Sequence, residues 1–271
     1  MSENVSAIWA FPPPADFKER LDRCITEALN RRNGRGPATV FFRADDIGVP
    51  GRQFSRLMDQ HRCHRVPLSL AIVPAWLTRP RWSALIGPVR DDDTLWCWHH
   101  HGWRHRNHEP AGKKQEFGPG RSHEALRADV IKGRDRLTRL LGDRFDPVFT
   151  PPWNRCDART LTLLRDLGYA AVSRSRGSRP EPPPGLSDFP VNVDLHTRKE
   201  TDPALGWANL FDEFGRAIAE GMCGIMIHHQ RMNSAAFDFQ RELLSTLADR
   251  TGIRLTRLFD LSSQCTTSDS P

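Results

Sequence analysis

A short strand and a dense histidine cluster meet in Trp96-Cys97-Trp98-His99-His100-His101-Gly102-Trp103-Arg104-His105-Arg106-Asn107-His108-Glu109. Five of the eleven histidines of the chain lie in this stretch, in a span of ten residues. The largely apolar and aromatic run from Thr94 to Trp98 is typical of a buried strand, so the cluster begins where that strand ends. Histidine is a common metal ligand and a common acid–base group, and the cluster is therefore a candidate functional site.

Two of these histidines have the spacing of metal ligands. His101 and His105 are four residues apart, so in a helical segment both imidazoles would point the same way and could bind one metal ion. An accidental surface pair is the alternative for an isolated H-x-x-x-H. The other histidines of the cluster are interpreted as neighbours rather than ligands: His99, His100 and His108. Three histidines outside it are assigned to helix or loop surfaces: His61, His64 and His123.

A pair of aspartates follows another predicted strand. The run from Ala38 to Arg43 is β-branched and aromatic, which predicts a buried strand, and it leads into Asp45-Asp46-Ile47-Gly48. Two adjacent carboxylates at such a position are costly unless they are hydrogen-bonded or bind a cation. A capping or turn feature is the alternative. Because a catalytic zinc site needs three protein ligands and an open position, one of Asp45 and Asp46 could be the third ligand and the other a base.

Strand and helix patterns alternate along the rest of the chain. This order predicts an α/β fold with about seven mostly parallel strands in a distorted (β/α) barrel. Polar signatures follow four of the predicted strands: Asp45-Asp46, His101 with His105, Trp153-Asn154-Arg155 and His228-His229. In a (β/α) barrel such strand ends form the active-site face, so we expect the four signatures to converge.

The expected domain organisation is simple. We predict an N-terminal helical extension packed on the barrel over residues 1–36, a catalytic domain over 37–260 and a disordered tail over 261–271.

Cations are frequent in the long loop after the histidine cluster, which carries Lys113, Lys114 and Arg121. These side chains could contact an anionic group on a substrate, or they could simply be solvated.

The composition excludes several classes of protein. Hydrophobic residues make up 38% of the 271 residues, and no apolar run reaches the about 18 residues that a membrane helix requires. The N-terminus lacks the basic and apolar regions of a signal peptide, and the six cysteines are widely spaced, so we expect a cytoplasmic protein. The net charge of +6 comes without a basic run or a stacking-aromatic module, so we expect no nucleic-acid partner. The oligomeric state is left open.

The motifs and their order resemble those of the polysaccharide deacetylase family (NodB homology, carbohydrate esterase family four). The paired-aspartate motif of that family is matched by residues 41–48, and its H-x-x-x-H motif by His101 and His105. Its Arg-containing proline-aromatic turn looks like residues 150–155, although here the arginine follows the turn. Its last motif, a strand that ends in a catalytic histidine, looks like residues 225–229.

The resemblance implies a role for each matched residue. The implied metal ligands are Asp46, His101 and His105. They would hold one divalent transition metal ion, with zinc expected and cobalt, manganese or iron as alternatives. The implied catalytic residues are Asp45 as general base, His228 or His229 as general acid, and Arg155, which would orient Asp45. The implied substrate contacts are Pro152, Trp153, Asn154 and Trp103, with backbone N–H groups near Trp153 holding the oxyanion.

The implied function is metal-dependent removal of an N-acetyl group from a sugar or small glycan. The sequence departs from the family pattern at Gly102, where Ser or Thr is usual, and Asp194 near His196 is the candidate for the aspartate of the fourth motif. Two alternatives remain: hydrolysis of another non-peptide amide or imide bond, and non-catalytic carbohydrate or metal binding on the same scaffold. Mutation of Asp45 separates the last from the others, because a binding protein needs the metal ligands but not the base.

Overall fold

The structure, a computed structural model, describes residues 5–89 and 93–265. The α/β class and the distorted (β/α)-barrel fold predicted from the sequence are confirmed, because helices alternate with the strands of one largely parallel sheet. No helix in the described part of the chain is long and apolar enough to cross a membrane.

Eight helices and nine strands lie within the described residues. The helices are α1 (Phe17–Arg32), α2 (Arg52–His64), α3 (Arg79–Ile86), α4 (His123–Leu141), α5 (Ala158–Asp166), α6 (Pro203–Glu220), α7 (Ser234–Ala248) and α8 (Leu258–Cys265). The strands are β1 (Ala38–Ile47), β2 (Leu68–Ile72), β3 (Trp96–His100), β4 (Phe145–Phe149), β5 (Ala171–Val172), β6 (Ser187–Asp188), β7 (Val193–Asp194), β8 (Met222–Ile227) and β9 (Ile253–Leu255). The count exceeds the expected number of about seven, and four of the nine strands have only two or three residues.

The sheet has the order β6-β5-β4-β3-β2-β1-β8-β7, and β9 pairs with β1. The pairings of β1 with β8 and of β3 with β4 are parallel, as are those of β5 with both of its neighbours. Parallel strands have their carboxyl ends at the same edge of a sheet, and this is the edge where the sequence predicts the polar signatures.

The chain forms two compact groups of residues. Group one comprises Met1–Ala44, Gly51–Leu68 and Val191–Thr256, and group two comprises Asp45–Pro50, Ser69–Pro190 and Arg257–Pro271, as far as these ranges are described.

Group one contains β7 and β8 together with most of β1. Asp194 pairs with Met226 in the register of β7 and β8. The helix predicted near the N-terminus is α1, and it packs against α6. Trp9 is fully buried, and its indole N–H donates to the backbone oxygen of Leu195 at 2.6 Å. The N-terminal segment is therefore part of the packing of group one.

Group two contains the strands from β3 to β6, with α4 and α5 packed beside them. Its core includes Phe117, Val130 and Phe149. Both helices begin at the caps that the sequence predicts: the side chain of Ser122 accepts from Ala125 N at 3.2 Å, and that of Asp157 accepts from Thr160 N at 2.9 Å.

The prediction of a disordered tail over 261–271 is wrong at its beginning. Helix α8 extends to Cys265, and Leu258 and Leu261 are 0% and 4% exposed. These two leucines lie three residues apart and anchor one face of the helix, since α8 packs against β4. The remainder of the predicted tail, residues 266–271, lies outside the described residues.

Candidate metal centre

Three potential metal ligands converge in group two. One ligand atom from each of Asp46, His101 and His105 lies within 4.8 Å of the other two. The Nε2 atoms of His101 and His105 are 3.3 and 3.2 Å from Oδ1 of Asp46. His101 is buried, whereas Asp46 and His105 are partly exposed, so the cluster is open on one side. This is the ligand set that the family resemblance implies, whereas the residues alone left open whether Asp45 or Asp46 is the third ligand.

Adjacent strand ends position these side chains. Strand β1 continues through Asp45 and Asp46 to Ile47, four residues beyond the end predicted at Arg43. The backbone oxygen of Ile47 accepts from Val73 N at 2.8 Å, and that of Ile72 accepts from His101 N at 2.7 Å. Asp46 and His101 are therefore brought together by the backbone pairing of three consecutive segments.

The helical segment that would place His101 and His105 on one face is not formed. Strand β3 runs through His100, and the chain then turns with positive φ at Gly102 (61°) and His105 (57°). The two imidazole centroids are nevertheless only 5.2 Å apart. Left-handed backbone is uncommon for residues other than glycine, so this turn must be held by surrounding contacts.

The buried carboxylate of Glu116 holds that turn. Its oxygens accept three backbone hydrogen bonds, from Trp103 N (3.1 Å), Arg104 N (2.7 Å) and His105 N (3.2 Å). Burial raises the pKa of Glu116, and the backbone donors oppose this shift by stabilising the ionised form. Glu116 was not identified from the sequence, because it reaches the turn from 11 residues beyond His105.

Gly102 leaves room for this arrangement. A Cβ atom at this position would lie 2.2 Å from Oε2 of Glu116 and 2.6 Å from Cγ of Pro152. The departure from Ser or Thr at Gly102 is therefore explained by the close approach of a carboxylate. It is also the one signal in the sequence that could have pointed to a partner for this turn.

The environment of His101 suits a bound cation. Its Nδ1 lies 2.8 Å from the backbone oxygen of Thr150, which requires the proton to be on Nδ1. The lone pair of Nε2 then faces Oδ1 of Asp46, and this buried Nε2 has no hydrogen-bond partner. Acceptor atoms that face each other repel unless a proton or a cation lies between them. The residues present therefore fit a divalent metal ion.

The two histidines of the centre have opposite pKa shifts. For His101, burial acts to lower the pKa, but the Asp46 and Asp45 carboxylates outweigh it, so the pKa is raised. For His105, burial and the neighbouring His101 lower the pKa, which favours the neutral form. A cation placed among these groups would replace the proton that the carboxylates otherwise attract.

Two other histidines of the cluster, His99 and His100, contact groups near the candidate metal centre. His99 Nε2 lies 2.9 Å from the hydroxyl of Thr150. His100 contacts the Tyr169 hydroxyl and the backbone oxygen of Gly102, both at 2.6 Å. Both are fully buried in β3, and the candidate metal cluster does not include them. The interpretation of these two as neighbours rather than ligands agrees with their positions.

Of the predicted substrate contacts, Trp153 lies beside His105. The ring centroid of Trp153 is 4.4 Å from that of His105, and Trp153 and Asn154 have positive φ values of 55° and 60°. Trp103 is 7% exposed, and the ammonium of Lys132 lies 5.0 Å from its ring centroid. Trp153 is partly exposed, so it is the more accessible of the two tryptophans.

Arg155 and the loop cations have distinct contacts in group two. The guanidinium of Arg155 donates to the backbone oxygen of Lys114 at 3.3 Å. Arg121, a predicted candidate for an anionic substrate group, is instead paired with Asp129 at 2.7 Å. The role of Arg155 in orienting Asp45 stays a prediction.

The two candidate acids belong to group one. His228 follows the end of β8 and is partly exposed, whereas His229 is buried with its ring 5.8 Å from that of Phe54. The backbone N–H of His228 donates to Nδ1 of His196 at 3.2 Å. Asp194, the candidate for the fourth motif, accepts from the backbone N–H of His196 at 3.0 Å. The choice between His228 and His229 stays open.

The similarity of this chain to known proteins is found in its structure and not in its sequence. No protein-family model matches the sequence, and no curated protein matches it significantly. A Mycobacterium smegmatis protein assigned as a polysaccharide deacetylase matches the structure with a TM-score of 0.68 at 14% identity, over 87% of this chain and 93% of that one. This is the polysaccharide deacetylase fold.

Two further solved structures share this fold. The Xyl-CE4 domain of a multidomain xylanase from the hindgut metagenome of Trinervitermes trinervoides has a TM-score of 0.58 at 12% identity, with 85% of this chain and 92% of that chain covered. A family 4 acetyl xylan esterase from Clostridium thermocellum, in complex with a cobalt ion, has a TM-score of 0.53 at 11% identity, with 83% and 91% covered. At these identities the similarity concerns the fold.

Proposed function

We propose that this chain is a metal-dependent hydrolase that removes an acetyl group from the nitrogen of a sugar or small glycan. The observation that carries the proposal is the convergence of Asp46, His101 and His105 at the carboxyl ends of strands in a polysaccharide deacetylase fold. Neither part is sufficient alone, since folds host several functions and acidic clusters occur without metal.

A divalent cation bound by these three residues would polarise the amide oxygen of the substrate and lower the pKa of a water molecule at its open coordination position. Two histidines and one carboxylate suit zinc, and cobalt, manganese and iron accept the same donors. The cobalt ion in the Clostridium thermocellum esterase supports a test of cobalt beside zinc.

The residues of the chain would carry the proton transfers. Asp45 is 3% exposed and lies next to the ligand Asp46 on β1, where it would accept the proton of the attacking water. His228 or His229 would donate a proton to the amine as the carbon–nitrogen bond breaks. Backbone N–H groups near Trp153 would hold the oxyanion, and Arg155 would orient Asp45. The products are acetate and a free amino sugar.

Acetate release tests this function. The metal-free protein, reconstituted separately with zinc, cobalt and manganese, is incubated with N-acetylated mono- and oligosaccharides, and acetate is quantified. The proposal predicts turnover that a chelator abolishes and the metal restores. Metal-loaded protein that releases no acetate from any N-acetylated sugar, but hydrolyses other non-peptide amides or imides, would establish the alternative reaction. The cytoplasmic location stays a prediction.

A further inference from the structure

We propose that a cationic cavity beside the metal centre binds a phosphate group of the substrate, so that the sugar is a phosphorylated N-acetylated sugar. This inference rests on the proposed function for the reaction, but the cavity and its charge are independent of it. The cavity lies entirely within group two, where it has a volume of about 460 Å³. That volume falls within the range of small-molecule sites.

Three separate segments line this cavity and bring cations to it. The lining residues are Lys113, Gln115, Trp153, Asn154, Arg155, Ser175, Arg176, Gly177, Ser178 and Arg179. Four of the ten are cationic and none is acidic. Arg179 is also paired with Glu181, which is not one of the lining residues. A cavity lined by cationic and no acidic side chains attracts an anion.

The chemistry of the other lining groups suits a phosphate. Arginine presents a planar fork of N–H donors that matches phosphate oxygens, and lysine adds a compact charge. The hydroxyls of Ser175 and Ser178 are further donors, and a turn brings these residues together, since Ser178 N donates to the backbone oxygen of Ser175 at 3.0 Å. Arg155 is held by its hydrogen bond to Lys114 O, so part of this cation set is already positioned.

Trp153 connects the cavity with the metal centre. It lines the cavity, and its ring centroid lies 4.4 Å from that of the metal-ligand candidate His105. Trp153 and Asn154 both adopt left-handed backbone, an unfavourable conformation that tends to persist where a site requires it. A sugar whose N-acetyl group lies at the metal centre could therefore stack on Trp153 and extend its phosphate into the cavity.

Binding of defined sugars to metal-free protein tests this proposal. Calorimetry on chelator-treated wild type compares N-acetylglucosamine 1-phosphate, N-acetylglucosamine 6-phosphate, neutral N-acetylglucosamine and inorganic phosphate. Removal of the metal excludes direct phosphate coordination as the cause of binding. The proposal predicts that at least one phosphorylated sugar binds about tenfold more tightly than the neutral sugar, and that added salt weakens this preference.

Two double variants test whether the phosphate group binds in this cavity. Lys113→Gln/Arg176→Gln should weaken binding of the phosphorylated sugar about tenfold and leave the neutral sugar unchanged. Arg127→Gln/Arg139→Gln removes the same charge from exposed positions on α4 and should have little effect on either sugar. Both doubles should match the wild type in thermal unfolding.

Two results would overturn the proposal. They are equal binding of phosphorylated and neutral sugars, and a preference for the phosphorylated sugar that survives the cavity variant. A failure of the proposed function is distinguishable from these results. In that case metal-loaded protein releases no acetate, while metal-free protein still binds the phosphorylated sugar.

Discussion

Gly102 and Glu116 are in direct contact, and the contact defines the turn between two candidate metal ligands. A Cβ on Gly102 would lie 2.2 Å from Oε2 of Glu116, whose carboxylate accepts the backbone N–H groups of the same turn. The turn therefore depends on a small residue at one position and a carboxylate at the other.

Gly102→Ser should damage the metal centre, although serine is the usual residue at this place in the resembled family. Its Cβ would collide with Glu116 and Pro152, and the positive φ of 61° adds strain. We expect about 1–3 kcal/mol of lost stability and weaker metal binding. Gly112→Ser is the matched control, because Gly112 also has a positive φ but no atom within 4 Å of the place that a Cβ would occupy. Equal unfolding temperatures for the two variants would contradict the steric account.

Glu116→Gln should weaken metal binding with little effect on the fold. The amide keeps one acceptor oxygen, but its NH2 group faces either the backbone N–H of Arg104 or those of Trp103 and His105. Loss of such supporting contacts typically costs about 10- to 100-fold in metal affinity. Competition with a chelating dye measures the affinity, and the visible spectrum of the cobalt form reports the ligand geometry.

Glu109→Gln is the control for that experiment. Glu109 lies in the same loop, and its carboxylate accepts from Gly120 N instead of from the 103–105 turn. Its substitution should leave the cobalt spectrum and the metal affinity unchanged. If both variants bind metal like the wild type, Glu116 does not position the ligands.

Asp45→Asn should retain the metal and lose turnover. Asp45 is not one of the clustered ligands, yet it lies next to Asp46 on β1. Removal of a general base costs roughly 10²- to 10⁴-fold in kcat. Metal content and acetate release are measured on the same sample. Near-wild-type acetate release would exclude Asp45 as the base.

The stability of the protein should respond to the ionisation of Asp146. Burial raises the pKa of this carboxyl to about 6, against the effects of the Cys97 thiol and the Arg257 guanidinium, which lower it. Because its folded-state pKa lies above its ordinary value, the group lowers stability as pH rises from about 4 through 6, by up to about 3 kcal/mol.

Asp146→Asn removes this ionisation. The variant should be more stable than the wild type at pH 8, and the difference should disappear near pH 4, as followed by denaturant unfolding. Asp143→Asn, at an exposed position three residues earlier, is the control and should show no such pH dependence. If the stability difference between Asp146→Asn and the wild type were the same at all pH values, the raised pKa of Asp146 would be contradicted.

The family resemblance implies Asp46 rather than Asp45 as a metal ligand. The convergence of the aspartate pair with the histidines is predicted because strand ends in a parallel sheet meet at one edge. The positions of Asp46 and His101 follow from that rule. The position of His105 relative to Asp46 and His101 could not be predicted from the sequence. His105 lies in a turn with positive φ, and this turn depends on hydrogen bonds to Glu116, 11 residues further along the chain. The surface position assigned to His61 is also wrong: the residue is fully buried, with Nδ1 3.1 Å from Val66 O. Its burial is decided by packing of α2, which the spacing of one histidine does not reveal.

The central claim is that Asp46, His101 and His105 bind one metal ion. Elemental analysis of the purified wild type beside the His101→Ala/His105→Ala double variant tests it most directly. The account predicts about one equivalent of transition metal in the wild type and none in the double variant, with both proteins folded. Near-zero metal in both after reconstitution, or equal metal in both, would contradict the account.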